Sequence, residues 1–236
     1  MRRQIAAGIV FVVLVASSAV ALAVDFPYGS TLAFKVYRNG TEIGQHTVSF
    51  RNDGATRYVK ISVGLSVKAL GVTAFRYQHE AREVWHAGNL ESLESHTDEN
   101  GTKYTVRVRR DAQRLVVDRE MTPLMLAASA SDQALALPEV GHELLPGSML
   151  PTSNWNFDQV RKPVLLNTQY GTPSHTTITV MGREAVKTSS GTTVQATRYR
   201  YTGDLRMDQW FDDKGRWVRA AFPAFDGSII EYVLQE

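Results

Sequence analysis

Few residues in this chain have the types and spacing that chemistry requires. His79-Glu80-Ala81-Arg82-Glu83 approaches the His-Glu-x-x-His pattern of zinc proteases, with Glu83 where the second histidine would stand. That pattern works on a helix, whereas the residues around His79 alternate apolar and polar as on a strand. On a strand His79 and Glu83 still share a face, but about 13 Å apart. One ion held by bonds of ~2.1 Å cannot span them. The pair, with or without His46 from a neighbouring strand, is the candidate for an envelope hydrolase. The competing reading is a histidine whose ring is hydrogen-bonded inside a sheet face. Asp208, Asp212 and Asp213 cluster near Trp210, as glycosidase carboxylates cluster beside a sugar-stacking ring. Hydrolysis needs two carboxyls held ~5–9.5 Å apart in a cleft, and these three surround a tight turn, where aspartate is a turn former. Gly-x-Ser-x-Gly, Ser-x-x-Lys, Gly-x-Gly-x-x-Gly and phosphate-loop patterns are missing from the sequence. No catalytic residue, cofactor or metal is therefore assigned.

What remains is binding. Large rings concentrate in two stretches with a shared grammar: aromatic-Arg-Tyr, then acid-x-Trp, then Gly-x-large apolar. The first runs Phe75-Arg-Tyr77, Glu83-Val-Trp85, Gly88-Asn-Leu90; the second runs Tyr199-Arg-Tyr201, Asp208-Gln-Trp210, Gly215-Arg-Trp217. If both face inward they line a curved sheet with apolar rings that carry polar handles. His46, Tyr77, His79, Glu83, Trp85, Tyr201 and Trp210 are the candidate ligand-binding residues. The same rings also serve as core, and a cavity and a core can share residues.

The elements that must position them are strands. Leu32 to Val36 alternates, Asn39-Gly40 is a two-residue hairpin turn, and the return strand Glu42 to Phe50 puts His46, Val48 and Phe50 on one face. Arg57 to Ala69 presents Val59, Ile61, Val63, Leu65 and Val67 on one side. Phe75, Tyr77, His79, Ala81, Glu83 and Trp85 share a face if their segment is a single strand. Asn100-Gly101 joins two more strands. Residues 119–162 read differently: Thr122-Pro123 begins an Ala- and Leu-rich run to Leu137 that predicts a short helix, and Pro138, Pro146 and Pro151 break the chain into loop. Near Gly203, either a bulge keeps Tyr201 and Trp210 on one face, or Gly203-Asp204 is a turn between two strands. The expected fold is mainly β, an antiparallel meander forming an open or closed barrel-like sheet with a short helical or loop insertion.

Arg2 and Arg3, the apolar run from Ile5 to Val15 and Ala21-Leu22-Ala23 make a secretory signal peptide over residues 1–23, leaving one β-rich domain over 24–236. The chain has 26 Lys+Arg against 24 Asp+Glu; removing Arg2 and Arg3 leaves 24 against 24, a net charge of zero. A neutral chain without a basic stripe excludes a nucleic-acid footprint. Cysteine is absent, so core packing replaces disulfides and a lipid-modified cysteine is ruled out. A soluble periplasmic protein with no membrane span after cleavage is expected.

Gly44-Gln-His46-x-Val48, Glu83-x-Trp85, Trp210-Phe-Asp212-Asp-Lys-Gly215 and Asp226-Gly227-Ser228 resemble a family of exported proteobacterial proteins of unknown function. The resemblance covers most of the mature chain. It implies a periplasmic β-rich fold similar to the open barrels of periplasmic lipoprotein carriers, and it implies no catalytic residues. The expected role is a non-catalytic binding or carrier module, with a lipid-like small molecule or an envelope protein as partner. The alternatives are the hydrolase above and an accessory scaffold of an envelope complex.

Overall fold

A computed structural model describes residues 27–69, 71–124 and 139–236. Seven strands follow in hairpin succession: β1 Thr31–Arg38, β2 Thr41–Asp53, β3 Thr56–Ala69, β4 Val72–His86, β5 Asn89–Glu99, β6 Thr102–Asp111 and β7 Arg114–Thr122. β8 (Glu139–Pro146) pairs antiparallel with β7, and β9 (Leu150–Pro151) follows after three residues. A 3-10 turn at Phe157–Arg161 leads to β10 (Val164–Leu166), β11 (Pro173–Lys187), β12 (Thr193–Gly203), β13 (Met207–Asp212), β14 (Trp217–Pro223) and β15 (Ile229–Leu234). The signal segment and the predicted helical run at 125–138 lie outside the described residues. Around that run the chain is strand up to Thr122 and again from Glu139, where the sequence reading had helix or loop. Glu139–Pro146 is held by backbone pairing along β7, and its alternation is too polar to signal a strand by itself.

All fifteen strands form one sheet, in chain order except where β1 joins β15. Every neighbouring pair is antiparallel apart from β9 with β10. The ends of the order are β8 and β9. A flat sheet would hold them about 67 Å apart, fourteen spacings of ~4.8 Å. The chain between Pro146 and Leu150 reaches at most about 14 Å. The sheet therefore curls until its two ends meet, which makes the architecture barrel-like.

The turns follow from their residues. Asn39-Gly40, Ala87-Gly88 and Asn100-Gly101 all have positive φ at both positions, the geometry that matches strand twist in two-residue hairpins. One face of the sheet is buried: Phe34 and Val36 on β1, Val48 on β2, Ile61 and Val63 on β3, Ala81 and Trp85 on β4, and Leu234 on β15 belong to one hydrophobic cluster. Burial of these alternating positions is the main force closing the curl.

Candidate functional site

The register places His46 opposite Val63, and Val63 opposite His79. The two histidines thus stand on one face, two strands and about 10 Å apart. Gly44 fixes the local path. Its φ is +152°, and a Cβ there would lie 1.9 Å from the Gly64 carbonyl oxygen. β2 can approach β3 at this point only without a side chain, two residues before His46.

His46 is 4 % exposed. Its ring is framed edge-on by Trp217 at 5.2 Å and Tyr232 at 5.5 Å, with Phe34 tilted at 6.0 Å. Among the described residues neither ring nitrogen has a hydrogen-bond partner. Burial, reinforced by His79, lowers its pKa to about 3, so the ring is neutral. Burial also lowers His79 to about 4. Unlike His46, His79 is satisfied: Nδ1 and Thr97 Oγ1 are hydrogen-bonded at 2.7 Å, and the ring stacks on Tyr77.

Tyr77 extends this polar band. Its hydroxyl donates to Gln169 Oε1 at 3.0 Å, and Gln169 Nε2 donates to Glu99 Oε2 at 2.8 Å. Burial, with Tyr232 and Glu99 nearby, pushes the Tyr77 phenol well above its ordinary value. Ser95 Oγ donates to the Thr168 carbonyl at 2.5 Å. These bonds fasten residues 168–169 across the concave face of β4 and β5.

A second set of bonds fastens Trp155. Glu83 is 1 % exposed, and its Oε2 accepts from both Trp85 Nε1 at 2.8 Å and Trp155 Nε1 at 3.0 Å. The Trp155 ring meets Trp85 and Phe50 edge to face, and its carbonyl accepts from the Tyr28 hydroxyl at 2.6 Å. Burial raises the Glu83 pKa, opposed by hydrogen bonding from Ser153 and the two indoles. The Ser153 contact falls short of full hydrogen-bond geometry, leaving Glu83 Oε1 and Ser153 Oγ unpartnered among the described residues. The chain's own segment from β9 to β11 thus covers the concavity that an open carrier would present.

These contacts decide several sequence expectations. His46, Tyr77 and His79 come together in one band; Glu83 and Trp85 lie further along β4. With Glu83 holding two indoles and His79 holding Thr97, the pair does not form an acid–base couple. No group of three His, Cys, Asp or Glu able to hold a metal ion occurs among the described residues. Tyr201 and Trp210 are separated. Tyr201 pairs with Met207 and Arg198 with Trp210, so alternation puts the tyrosine and the tryptophan on opposite faces of the sheet. Gly203 is the last residue of β12, still paired with Thr176, and the ladder from β12 to β13 has no bulge: the strands are separated by the turn that follows it. Trp210 Nε1 donates to Glu184 Oε2 at 2.9 Å, and its ring lies between the guanidinium groups of Arg198 and Arg219 at 5.3 and 5.0 Å. The two aromatic stretches are therefore not structural copies: the first spans β4 and the start of β5, with both aromatic-Arg-Tyr and acid-x-Trp on the single strand β4, whereas the second spans β12, β13 and the start of β14. Asp208 is paired with Arg198 and Arg200, Asp213 with Arg183, and Asp212 accepts the Lys214 and Arg216 amides.

Trp155, Gln169 and Tyr232 reach the interior and were not singled out in the sequence. Nothing local marks them, because Trp155 and Gln169 sit in loop and arrive only through the crossover. On the outside, Asn89, Ser148, Asn156, Asp158, Arg161 and Lys162 help to line a cleft of about 300 Å³ between the β4–β5 turn and the crossover.

The family description "Domain of unknown function (DUF6134)" matches residues 34–235. The chain belongs to the DUF6134 family. Its members' defining region thus spans the sheet from β1 to β15, including both histidines and the crossover. A comparison with curated proteins finds no match. Among solved structures, the DUF6134 chain is similar to the crystal structure of a beta-barrel-like protein of domain of unknown function DUF1849 from Brucella abortus. The two share 9 % identity with a TM-score of 0.57, over 87 % of this chain and 95 % of that one. That likeness concerns the fold.

Proposed function

We propose that this DUF6134 protein is an exported, non-catalytic binding module that holds one hydrophobic or amphipathic molecule in its barrel interior, beside His46. The observation that carries the reading is His46 itself. A buried imidazole with two unpartnered nitrogens costs about 1–3 kcal/mol per unmet group. A leucine among the same rings would avoid that cost, so the imidazole is kept for something it contacts. The aromatic frame of Phe34, Trp217 and Tyr232 supplies an apolar wall beside this polar handle. A ligand reaches it when part of the covering segment between β9 and β11 swings aside. The signal-like N-terminus supports a periplasmic location.

Native mass spectrometry of protein purified from its own cell envelope tests both parts. The expected spectrum shows a polypeptide beginning at Val24 and carrying a small molecule that organic extraction removes. An unprocessed chain contradicts export, and a ligand-free spectrum together with no binding of an apolar fluorescent probe contradicts the carrier role.

A scaffold role is the second reading, favoured by β8. This strand ends the sheet order, and Val140 on it is 79 % exposed. An exposed strand edge with apolar side chains can pair with an extended segment of a partner. Recovery of a stoichiometric envelope protein, lost on Val140→Lys, would favour this over the carrier.

A further inference from the structure

The polar groups facing the interior have an uneven chemistry. Among the described residues the buried polar and charged side chains are histidine, glutamate, serine, threonine and glutamine, with no lysine or arginine. The arginines around Trp210 are on the opposite face and are matched by Glu184, Asp208 and Glu231. His46, neutral in its ring of aromatics, has one N–H to donate and one bare nitrogen to accept, and both are unmet.

We infer that the ligand is electrically neutral and presents a hydroxyl or amide to His46, with an apolar body against Phe34, Trp217 and Tyr232. This rests on the binding reading above and narrows it. A hydroxyl can accept from the N–H or donate to the bare nitrogen, and a primary amide can do either. A carboxylate or phosphodiester can only accept, and it carries a charge into a low-dielectric interior with no fully buried lysine or arginine among the described residues to offset it. The half-buried Arg57 that reaches the Trp155 ring lies about 20 Å along β3 from Val63, the neighbour of His46. An ammonium group could donate to the bare nitrogen, but the nearest buried carboxyl, Glu83, already holds two indole N–H groups and lies about 13 Å along β4 from His79.

The test uses the mature protein after lipid extraction, with N-phenyl-1-naphthylamine as the displaceable fluorescent probe. Dodecanol, dodecanoate and dodecylammonium compete for it in the wild type and in His46→Leu. Dodecanol is expected to displace the probe at about tenfold lower concentration than either charged analogue. His46→Leu should erase that preference by weakening dodecanol alone, while the melting temperature holds or rises. His46→Gln, which keeps both a donor and an acceptor, should preserve the preference and serves if the leucine variant does not fold. Equal or better displacement by dodecanoate or dodecylammonium overturns the neutral-ligand inference and leaves the binding reading standing. Preference for dodecanol that survives in His46→Leu removes His46 from the site. Failure of the probe and all three competitors to bind overturns the binding reading itself.

Discussion

Acid should unfold this protein through its buried histidines, and the effect can be worked out. His46 and His79 have pKa values lowered by burial from 6.5 to about 3 and about 4. Between those values and 6.5 the unfolded chain binds protons that the folded chain refuses, so stability falls as pH drops through this window. From pH 7 to pH 5 each histidine removes about 2 kcal/mol, the free energy of protonating a free imidazole of pKa 6.5 at pH 5 less that at pH 7. Together they remove about 4 kcal/mol, a large part of the 5–15 kcal/mol typical of a folded domain. Glu83 acts in the opposite sense. Its pKa is raised by burial, so the folded chain takes up that proton first, and its contribution to stability grows as pH falls. The clean measurement is a difference. Urea unfolding of wild type and His46→Leu at pH 7 and pH 5 cancels the common Glu83 contribution. His46→Leu should lose about 2 kcal/mol less than wild type over this interval, and should be no less stable at pH 7. Equal losses in the two proteins would show that His46 is protonated or solvated in the fold, and the reading of its neutral, unpartnered ring would fail.

The clasp on the crossover should be measurable. Trp155→Phe keeps an aromatic ring, smaller than the indole, but leaves Glu83 with one indole donor, at a cost of about 1–3 kcal/mol in urea unfolding. In a Glu83→Leu background the same change should cost much less, and an unchanged cost would mean that the indole–carboxylate bond contributes nothing. Gly44→Ala drives a Cβ into the Gly64 carbonyl at 1.9 Å and should cost more than about 3 kcal/mol; a thermal scan showing a stable variant would refute the close approach of β2 to β3. Trp210→Phe removes the N–H that reaches Glu184 and should cost about 1 kcal/mol. Because Trp210 is on the face away from Tyr201, probe binding should be unaffected, and a loss of binding would place the site on the outer face.

Much of the frame was legible because two signals are local. Side-chain alternation marked the buried face of β1 to β4, since a strand turns its residues over every second position. Asn-Gly pairs marked the hairpins at Asn39 and Asn100, since few residues accept positive φ. Those rules suffice for a meander and for placing His46, Tyr77, His79 and Glu83 on inward faces. They failed at β8, which is held by its partner, and left a bulge and a turn both open at the Tyr201–Trp210 stretch. There a turn instead of a bulge sent the two rings to opposite sides.

By itself, then, the sequence determined an antiparallel β fold, its turns and the inward direction of the β2 and β4 residues, because each is a property of neighbours along the chain. Only the tertiary structure decided what those residues meet. The curl brings the two ends of the sheet within reach of the three residues that join them. The same crossover carries Trp155 onto Glu83 and Gln169 onto Tyr77, contacts made across 72 and 92 positions of chain. His46 is polar in the sequence and unsatisfied in the fold because rings from β1, β14 and β15 surround it and bring no partner for its nitrogens.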